Sequence, residues 1–184
     1  MKKLILASKS PRRSELLKKA GYDPIVMPAS VEENIPFEMT PETATMYLAF
    51  CKAMAVSQSC DTCDNLPVLA ADTVVVHKGK IIGKPEDRNH ALEILKALRN
   101  DTHSVITGCC IIHRGIKRCF YDETLVFFGD YSDESLESYV DTDEPYDKAG
   151  AYAIQGTFGK YTDHIKGDLD NVIGLPVHLV KKFL

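Results

Sequence analysis

Short apolar runs and helix starts alternate along this chain, and this alternation constrains its fold more than any other feature. Residues 4–7 are apolar and are followed by Ser10 and Pro11, a typical helix N-cap and first helical residue. Thr40 and Pro41 begin a second helix in the same way. Because helices that follow buried strands pack on the faces of a shared sheet, the pattern predicts an α/β fold with a mixed sheet flanked by helices.

Periodicity and turn residues place the remaining elements. Residues 68–71 are predicted to form a buried strand with Asp72 at its end, and the chain is expected to stay extended to His77. After a turn, residues 81–82 form the second strand of a hairpin. The other predicted elements are a strand at 24–28, a loop at 29–39, helices near 41–57, 91–98, 133–140 and 177–183, and long strands at 104–113 and 117–128.

Charge is unevenly distributed in this chain of 184 residues, whose formal net charge is -4. Residues 1–19 carry seven Lys and Arg side chains against one acid, whereas residues 130–147 carry eight acids and no Lys or Arg. A basic segment on an acidic protein suits a small anion better than a long polyanion, so we expect no nucleic-acid partner. The length fits a single domain over residues 1–184.

Two properties predict a cytoplasmic protein with no membrane partner. The apolar run at residues 4–7 is too short for a secretory signal, and Lys9 interrupts it. No stretch approaches the roughly 20 apolar residues that a bilayer-crossing helix needs. The sequence leaves the oligomeric state open, and a homodimer is one option.

The cysteines leave a second function open. Cys60 and Cys63 have the spacing of a metal or redox pair, but a zinc site needs two more ligands and the chain has no second CxxC. A thiol or zinc protein built on this pair predicts bound zinc. An ordinary loop with two reduced thiols fits better. Cys109 and Cys110 fall in an apolar run and are expected in the core.

The first candidate site lies where a strand leads through a tight turn into a helix N-terminus. Free backbone N–H groups and the helix dipole favour an anion there. The hydroxyls of Ser8 and Ser10 can add hydrogen bonds, and Arg12 and Arg13 can bind phosphate oxygens in bidentate fashion. A capped helix with two solvated arginines is the alternative. The chain has no Gly-x4-Gly-Lys-Ser/Thr loop, which disfavours the P-loop class.

Asp72 is the second candidate, because a carboxylate directly behind four apolar residues is costly to bury without a partner. Open α/β sheets bind ligands at the carboxyl ends of their strands. Asp72 could there bind a divalent cation or act as general base on water. A structural aspartate that caps a turn is the alternative.

Three more charged residues extend the candidate set. Glu33 lies in an acidic loop and offers an oxygen ligand for Mg²⁺ or Mn²⁺. Lys52 falls among apolar residues of the second helix, a setting that favours an anion as its partner. Lys84 is held in a stiff loop between a glycine and a proline. Each of the three also fits a solvated surface charge.

A glycine-rich segment near the C-terminus contributes a fourth group. Lys148 could contact phosphate, and the amide of Gln155 could pair with a base edge because it offers both a donor and an acceptor. Gly150 and Gly156 permit close backbone approach. Ordinary turns are the alternative.

Together these segments resemble the Maf family from residue 4 to about residue 180. The matching motifs are Ser8-Lys9-Ser10-Pro11-Arg12-Arg13, Ala71-Asp72-Thr73-Val74-Val75, Gly83-Lys84-Pro85, Val105-Ile106-Thr107-Gly108, Glu144-Pro145 with Lys148-Ala149-Gly150, Ile154-Gln155-Gly156 and Asn171-Val172-Ile173-Gly174-Leu175-Pro176. The resemblance implies a Maf-like fold, related to inosine-triphosphate pyrophosphatases, with two lobes around a deep cleft. The chain departs from the family pattern at residues 57–65, which form a longer loop.

The resemblance also implies an activity, the metal-dependent hydrolysis of a nucleoside triphosphate between its α- and β-phosphates, with a link to arrest of cell division. Asp72 matches the family's proton acceptor. The positions that match catalytic or phosphate-contacting residues are Ser8, Arg13, Glu33, Lys52 and Lys84. In our hypothesis Asp72 and Glu33 hold Mg²⁺ or Mn²⁺ together with phosphate oxygens.

Substrate choice follows from three specificity positions. Arg12, Thr73 and Gln155 resemble the subgroup that acts on dTTP and UTP, whereas the 7-methyl-GTP subgroup tends to carry an aromatic residue, Gln and Glu there. A 7-methyl-GTP pyrophosphatase and an enzyme for modified pyrimidine triphosphates are the alternatives within the family. A nucleotide-sensing regulator of division without turnover is the alternative outside enzymes.

Overall fold

The computed structural model describes residues 1–32, 34–59 and 65–184. Its strands are β1 (Lys2–Leu6), β2 (Tyr22–Val26), β3 (Val68–His77), β4 (Lys80–Ile82), β5 (Thr102–His113), β6 (Ile116–Phe128) and β7 (Thr162–Lys166). Its helices are α1 (Pro11–Lys19), α2 (Pro41–Ser59), α3 (Arg88–Leu98), α4 (Asp133–Val140), α5 (Leu169–Ile173) and α6 (Val177–Phe183). Two 3-10 helices cover Ala149–Ala151 and Thr157–Tyr161. None of the helices in these ranges has the length and apolar character that crossing a bilayer requires.

The strands form one mixed sheet, as the sequence predicts. Its order is β2-β1-β3-β5-β6-β7, and β4 pairs with β3 beside this path. β1 pairs in parallel with both β2 and β3, whereas the β3–β4 and β6–β7 pairs are antiparallel. The parallel part follows from strand–helix alternation and the β3–β4 pair from a hairpin, whereas β6 and β7 are joined by a long connection that contains α4.

The chain divides into two compact units. The first unit contains Met1–Thr73, Thr107–Asp122 and Gly174–Leu184, and the second contains Val74–Ile106 and Glu123–Ile173. β3, β5 and β6 contribute residues to both units. The single domain over residues 1–184 and the cleft that the sequence analysis expects stay predictions.

Small residues let helix α2 pack closely in the core of the first unit. Ala49 and Ala53 of α2 are fully buried in one cluster with residues of β1, β3 and β5. Gly108 of β5 shows how close this packing is, since a Cβ there would lie 2.4 Å from the backbone nitrogen of Met46. Any larger residue at position 108 would push α2 off the sheet. The expected burial of Cys109 and Cys110 is confirmed.

Aromatic side chains dominate the core of the second unit. Phe128, Tyr131 and Phe158 pack edge-on, with ring centroids 5.0–6.0 Å apart. α3 and α4 bury their apolar residues in the same cluster. The predicted N-cap of α4 is confirmed, because the Ser132 hydroxyl accepts a hydrogen bond from the backbone N–H of Ser135.

One expected boundary that bears on function is wrong. Asp72 does not end its strand, because β3 continues to His77. β1 pairs with β3 only as far as Leu69, and β4 pairs with it from Val75 to His77. β5 is the other hydrogen-bonded neighbour of β3, so the chain stays extended through Asp72 with β5 and β4 as its further partner strands.

Two elements were absent from the sequence-based prediction. β7 is short and mostly polar, and it is held by antiparallel pairing with residues 125–128 of β6. α5 has only five residues, with one of them fully buried. Neither element has enough apolar periodicity to be predicted from the sequence. Each is stabilised by partners that are distant along the chain. β2 also begins two residues earlier than expected, at Tyr22.

Candidate active site

The turn between β1 and α1 builds one wall of the candidate site. Ser8 is buried, with 8% of its surface exposed, and its hydroxyl accepts a hydrogen bond from the backbone N–H of Ser10 across 3.2 Å. Ser10 is the N-cap of α1 and Pro11 is its first residue, as predicted. The hydroxyl of Ser8 thus points toward the N-terminal turn of the helix, where backbone N–H groups and the helix dipole favour an anion.

Arg13 joins three separate segments of the first unit. Its Nε donates to the carbonyl oxygen of Gly174 at 2.8 Å, one terminal nitrogen donates to Ser8 Oγ at 3.1 Å, and the other donates to Thr73 Oγ1 at 3.0 Å. The planar guanidinium can serve three acceptors at once because its donors diverge in a fixed fork. Arg13 therefore holds the β1–α1 turn, β3 and the turn before α6 in one arrangement.

Gly174 is a glycine for a conformational reason. Its φ of +125° lies in the region that L side chains rarely adopt. This turn brings its carbonyl to Arg13, and a Cβ at this position would stand 3.6 Å from both Arg13 Nε and Thr73 Oγ1. The glycine in the last family motif is thereby tied to the geometry of the candidate site.

Lys52 and Asp72 form a buried ion pair beside this arrangement. Nζ of Lys52 lies 2.6 Å from Oδ1 of Asp72, and the two side chains are 14% and 12% exposed. Lys52 lies on α2 between the buried residues Ala49 and Ala53, while Asp72 comes from the middle of β3. Each charge satisfies the other at a depth where an unpaired charge would be costly.

Thr107, a residue of β5, contacts Thr73, the residue that follows Asp72 on β3. Its side chain is fully buried, and its hydroxyl lies 2.9 Å from Thr73 Oγ1. Thr73 Oγ1 accepts a hydrogen bond from Arg13 and shares a second one with Thr107 Oγ1, in which either hydroxyl can donate. Thr107 belongs to one of the family motifs, but the sequence alone assigns it no role. A threonine within a fully buried apolar strand is the signal that could have found it.

The structure thus brings together Ser8, Arg13, Lys52, Asp72 and Thr73, all in the first unit. Arg12 lies half-buried on α1 immediately before Arg13. Lys84 and Gln155 are exposed residues of the second unit. Glu33 lies outside the described residues, as do Cys60 and Cys63.

Lys84 is carried by a short loop whose backbone is anchored. The carbonyl oxygen of Gly83 accepts a hydrogen bond from the backbone N–H of Gly150 at 3.1 Å, and Pro85 is buried. The loop that carries Lys84 is thereby fixed to the Ala149–Ala151 turn of the same unit. Gly150 has a φ of +74°, which makes this turn depend on glycine.

Glu144 organises the turn that carries Gln155. Its carboxylate accepts hydrogen bonds from the backbone N–H and the hydroxyl of Thr157, at 3.1 Å and 2.8 Å. The hydroxyl of Tyr139 donates to the same carboxylate at 3.3 Å. Lys148, which the sequence analysis considered for phosphate contact, donates to the Glu144 carbonyl at 2.8 Å and pairs with Asp147. Its ammonium therefore also serves to hold this segment together.

No thiol chemistry is expected at Cys109, the cysteine that follows Thr107 and Gly108 on β5. Burial raises the pKa of Cys109 to about 12, although the nearby charge of Arg13 opposes the shift. Its side chain therefore stays protonated near neutral pH and packs as a small apolar group.

The donor chemistry of the site fits a hard divalent cation in one respect. Asp72 offers carboxylate oxygens, which Mg²⁺ and Mn²⁺ prefer, and the hydroxyls of Ser8 and Thr73 are neutral oxygen donors. Oδ1 of Asp72 already binds the ammonium of Lys52. A cation would therefore share this carboxylate with Lys52 and take further ligands from phosphate oxygens.

Known proteins resemble this chain over nearly its whole length. A family model described as Maf-like protein matches residues 3–184. A Bacillus anthracis protein named dTTP/UTP pyrophosphatase is 42% identical over 177 residues, which cover 96% of this chain and 91% of that protein. An Exiguobacterium sibiricum protein of the same name is 42% identical over 181 residues, which cover 98% and 90%.

A solved structure agrees with the fold. The Ham1 protein of Staphylococcus aureus superposes with a TM-score of 0.52 over 99% of this chain and 97% of that one. Its sequence identity is 16%, so the likeness bears on the fold alone. It supports the mixed α/β architecture that the sequence predicts.

Proposed function

The chain belongs to the Maf family, and on that premise we propose that it hydrolyses dTTP and UTP to the nucleoside monophosphates and pyrophosphate. The observation that carries the proposal is the ion pair of Lys52 with Asp72 beside the three-way contact of Arg13. A buried cation, a buried carboxylate and a helix N-terminus in one place suit an anionic substrate that water attacks.

The β1–α1 turn is the proposed binding place for phosphate. Ser8 Oγ and the N-terminal N–H groups of α1 provide donors, and Lys52 supplies a positive charge. Arg13 fixes the position of Ser8 and Thr73, and its positive charge lies beside this turn. Lys84 is proposed to offset the charge on the leaving pyrophosphate, as the sequence analysis expects.

Asp72 is proposed to accept the proton of the attacking water. The water oxygen forms a bond to the α-phosphorus as the bond to the bridging oxygen breaks, and pyrophosphate leaves. Lys52 occupies one of the two carboxylate oxygens of Asp72, and substrate phosphates that attract Lys52 would make this oxygen available as well. A Mg²⁺ or Mn²⁺ ion bound by Asp72, Glu33 and phosphate oxygens would supply charge neutralisation on the phosphates.

Substrate preference is proposed to depend on Arg12, Thr73 and Gln155. Thr73 uses its hydroxyl to connect Arg13 with Thr107, so it contributes by positioning Arg13. Gln155 is exposed on a turn that Glu144 holds, which leaves its amide available to a base edge. The shared strands β3, β5 and β6 support treating residues 1–184 as one functional domain. A cytoplasmic location and a homodimer stay predictions.

A pyrophosphate-release assay over a panel of nucleoside triphosphates tests the proposal. The panel contains dTTP, UTP, 7-methyl-GTP and the common purine triphosphates, each with Mg²⁺ or Mn²⁺. We expect the highest kcat/KM with dTTP and UTP. Highest activity with 7-methyl-GTP would instead support the alternative substrate within the family, and nucleotide binding without pyrophosphate release would support a sensor.

Asp72→Asn separates catalysis from binding in the same assay. Because asparagine cannot accept the proton, turnover of dTTP and UTP should fall by about 10²-fold or more while nucleotide still binds. Asp163→Asn is the matched control, since Asp163 is exposed and contacts only its neighbour His164 among the described hydrogen bonds. Wild-type turnover in Asp72→Asn would refute the proposed role of this carboxylate.

A further inference from the structure

Two cysteine thiols on neighbouring strands are hydrogen-bonded to each other, away from any role in the proposed reaction. Cys110 lies on β5 and is fully buried, whereas Cys119 lies on β6 and is exposed. The side chains of the two residues form a hydrogen bond, and both are free thiols in the structure. A buried and an accessible sulfur are therefore already in contact.

The turn between the strands fixes their register. Only Arg114 and Gly115 connect β5 to β6, and their φ angles are 50° and 76°. Two consecutive positive φ angles are typical of the type I′ turn of a two-residue hairpin. Such a turn sets the last residue of β5 opposite the first residue of β6. Cys110 and Cys119 each lie three residues farther from the turn on their own strand, so they are opposite each other as well.

The far end of the hairpin agrees with this register. The backbone N–H of Phe128 donates to the carbonyl oxygen of Asp101 at 3.1 Å, which makes them an opposed, hydrogen-bonded pair. Hydrogen-bonded and non-hydrogen-bonded pairs alternate along an antiparallel ladder. Cys110 is an odd number of residues from Asp101, so Cys110 and Cys119 form a non-hydrogen-bonded pair. The Cα atoms of such pairs are about 4.5 Å apart, within the range of about 4.4–6.8 Å that a disulfide spans.

We propose that Cys110 and Cys119 are a redox-active dithiol that a hydroperoxide oxidises to a cross-strand disulfide and that a small thiol reduces again. The register supplies the geometry for the bond, and the exposure of Cys119 supplies access for both reagents. This site is independent of the proposed hydrolysis.

The two thiols differ in the way that such a reaction requires. The hydrogen bond that Cys110 donates lowers the pKa of Cys119 to about 7, so much of Cys119 is thiolate near neutral pH. The same hydrogen bond and burial raise the pKa of Cys110, which therefore keeps its proton. The exposed sulfur is the nucleophile, and the buried sulfur is the resolving thiol.

The proposed oxidation has two steps. The Cys119 thiolate attacks one oxygen of the hydroperoxide, the O–O bond breaks, the sulfur becomes a sulfenic acid, and hydroxide or alkoxide leaves. The sulfur of Cys110 then attacks the sulfur of Cys119, and the S–O bond breaks. The hydroxyl group leaves as water with the proton of Cys110. Two molecules of an external thiol reverse the oxidation, beginning with attack on the accessible sulfur of Cys119.

Peptide mapping of the full-length protein tests the proposal. The protein is freed of reductant, treated with hydrogen peroxide, alkylated and digested with trypsin, which cleaves between the two cysteines at Arg114, Lys117 and Arg118. We expect a disulfide-linked peptide pair, 100–114 with 119–148, that dithiothreitol separates. Oxidation of Cys119 to sulfinic acid without this link would overturn the proposal.

Three variants locate the bond within the linked peptides. Cys119→Ser and Cys110→Ala should each abolish the link, whereas Cys109→Ala should retain it. Cys109 is the matched control because it is equally buried and adjacent in sequence but belongs to the other face of β5. A link that persists in Cys110→Ala and disappears in Cys109→Ala would contradict the register.

Reaction with iodoacetamide gives a second measurement on the native protein that does not depend on variants. Because Cys119 is exposed and its pKa is lowered, it should be alkylated at least about tenfold faster than Cys109 near neutral pH. Equal rates for the two residues would show that Cys119 is not the reactive thiol and would overturn the proposed order of steps.

Discussion

The ammonium group of Lys52 lies 2.6 Å from Oδ1 of Asp72, with both side chains largely buried. A carboxylate oxygen that accepts a hydrogen bond from an ammonium is less available to accept a proton from water. Substrate phosphates that attract Lys52 would release this oxygen. The proposed function predicts that substrate binding makes this oxygen available, and the pair itself can be tested without substrate.

Removing one member of the pair should destabilise the fold more than removing both. Lys52→Met leaves Asp72 with an uncompensated charge, so we expect the free energy of unfolding to fall by about 2 kcal/mol. In the double variant Lys52→Met, Asp72→Asn, part of that loss should return because no buried charge remains. Urea denaturation of the wild type, both single variants and the double variant measures the coupling.

An exposed pair provides the control for this cycle. Lys78 lies 3.0 Å from Asp101 with 73% of its side chain exposed. Lys78→Met should change the unfolding midpoint little, because solvent screens the pair and His77 still contacts Asp101. Strictly additive effects of Lys52→Met and Asp72→Asn would show that the two charges do not stabilise each other.

Arg13→Lys should impair catalysis although it conserves the charge. A lysine cannot donate simultaneously to Ser8, Thr73 and the Gly174 carbonyl, so the β1–α1 turn loses its fixed position. We expect kcat/KM for UTP to fall by about 10- to 100-fold in the pyrophosphate-release assay.

Arg118→Lys is the matched control for Arg13→Lys. Arg118 is exposed and donates to the carbonyl oxygen of Phe183 at 3.3 Å. We expect wild-type kcat/KM from Arg118→Lys. Equal activity of Arg13→Lys and the wild type would mean that the three contacts of Arg13 do not organise the site.

The need for buried charges to find partners could be predicted from the sequence, but the partners themselves could not. Asp72 behind four apolar residues and Lys52 within an apolar helix each indicate a nearby opposite charge. That they pair with each other depends on how closely α2 packs on β5 at Gly108, a contact between distant segments. The contact of Arg13 with Gly174, 161 positions away, depends in the same way on tertiary packing.

Local signals account for the elements that were predicted well. α4 carries its N-cap Ser132 and acids in its first turn, and its bounds match the expectation, Asp133–Val140. The extended chain to His77 was predicted correctly, but Asp72 lies inside β3 and not at the end of a strand, because β3 pairs with β4 from Val75 to His77. Sequence therefore specifies caps and turns more directly than it specifies which strand supports a given residue.

Glu144→Gln should weaken substrate binding more than turnover. The carboxylate accepts two hydrogen bonds from Thr157 and one from Tyr139, and an amide can satisfy fewer of these donors. The turn that carries Gln155 then loses its support, so we expect a several-fold rise in KM for dTTP and UTP with a smaller change in kcat.

Glu123→Gln is the matched control for Glu144→Gln. Glu123 is exposed on β6 and accepts a hydrogen bond from the hydroxyl of Ser104 on β5 at 2.6 Å. Its KM values should match the wild type. A fall in kcat without any change in KM would argue that Glu144 acts on catalysis and does not position Gln155.

His103 should make the stability of the protein fall in mild acid. It is 2% exposed, and its Nε2 lies 2.7 Å from the hydroxyl of Tyr152. Burial lowers the pKa of His103 to about 4, and the charge of His77 adds to the shift while that of Asp101 opposes it. Since a histidine in the unfolded chain titrates near pH 6.5, the unfolded chain binds a proton between about pH 6.5 and 4 that the folded protein does not bind.

The stability associated with neutral His103 is therefore fully present above about pH 6.5 and is lost as the pH falls toward 4, by up to about 3 kcal/mol. His103→Gln removes the titrating group, so its free energy of unfolding should decrease less over this window than that of the wild type. Urea denaturation at several pH values between about 7.5 and 4 measures both curves, and the carboxylates that titrate in both proteins cancel in the difference. Parallel curves for the two proteins would show that His103 is not responsible for the acid sensitivity.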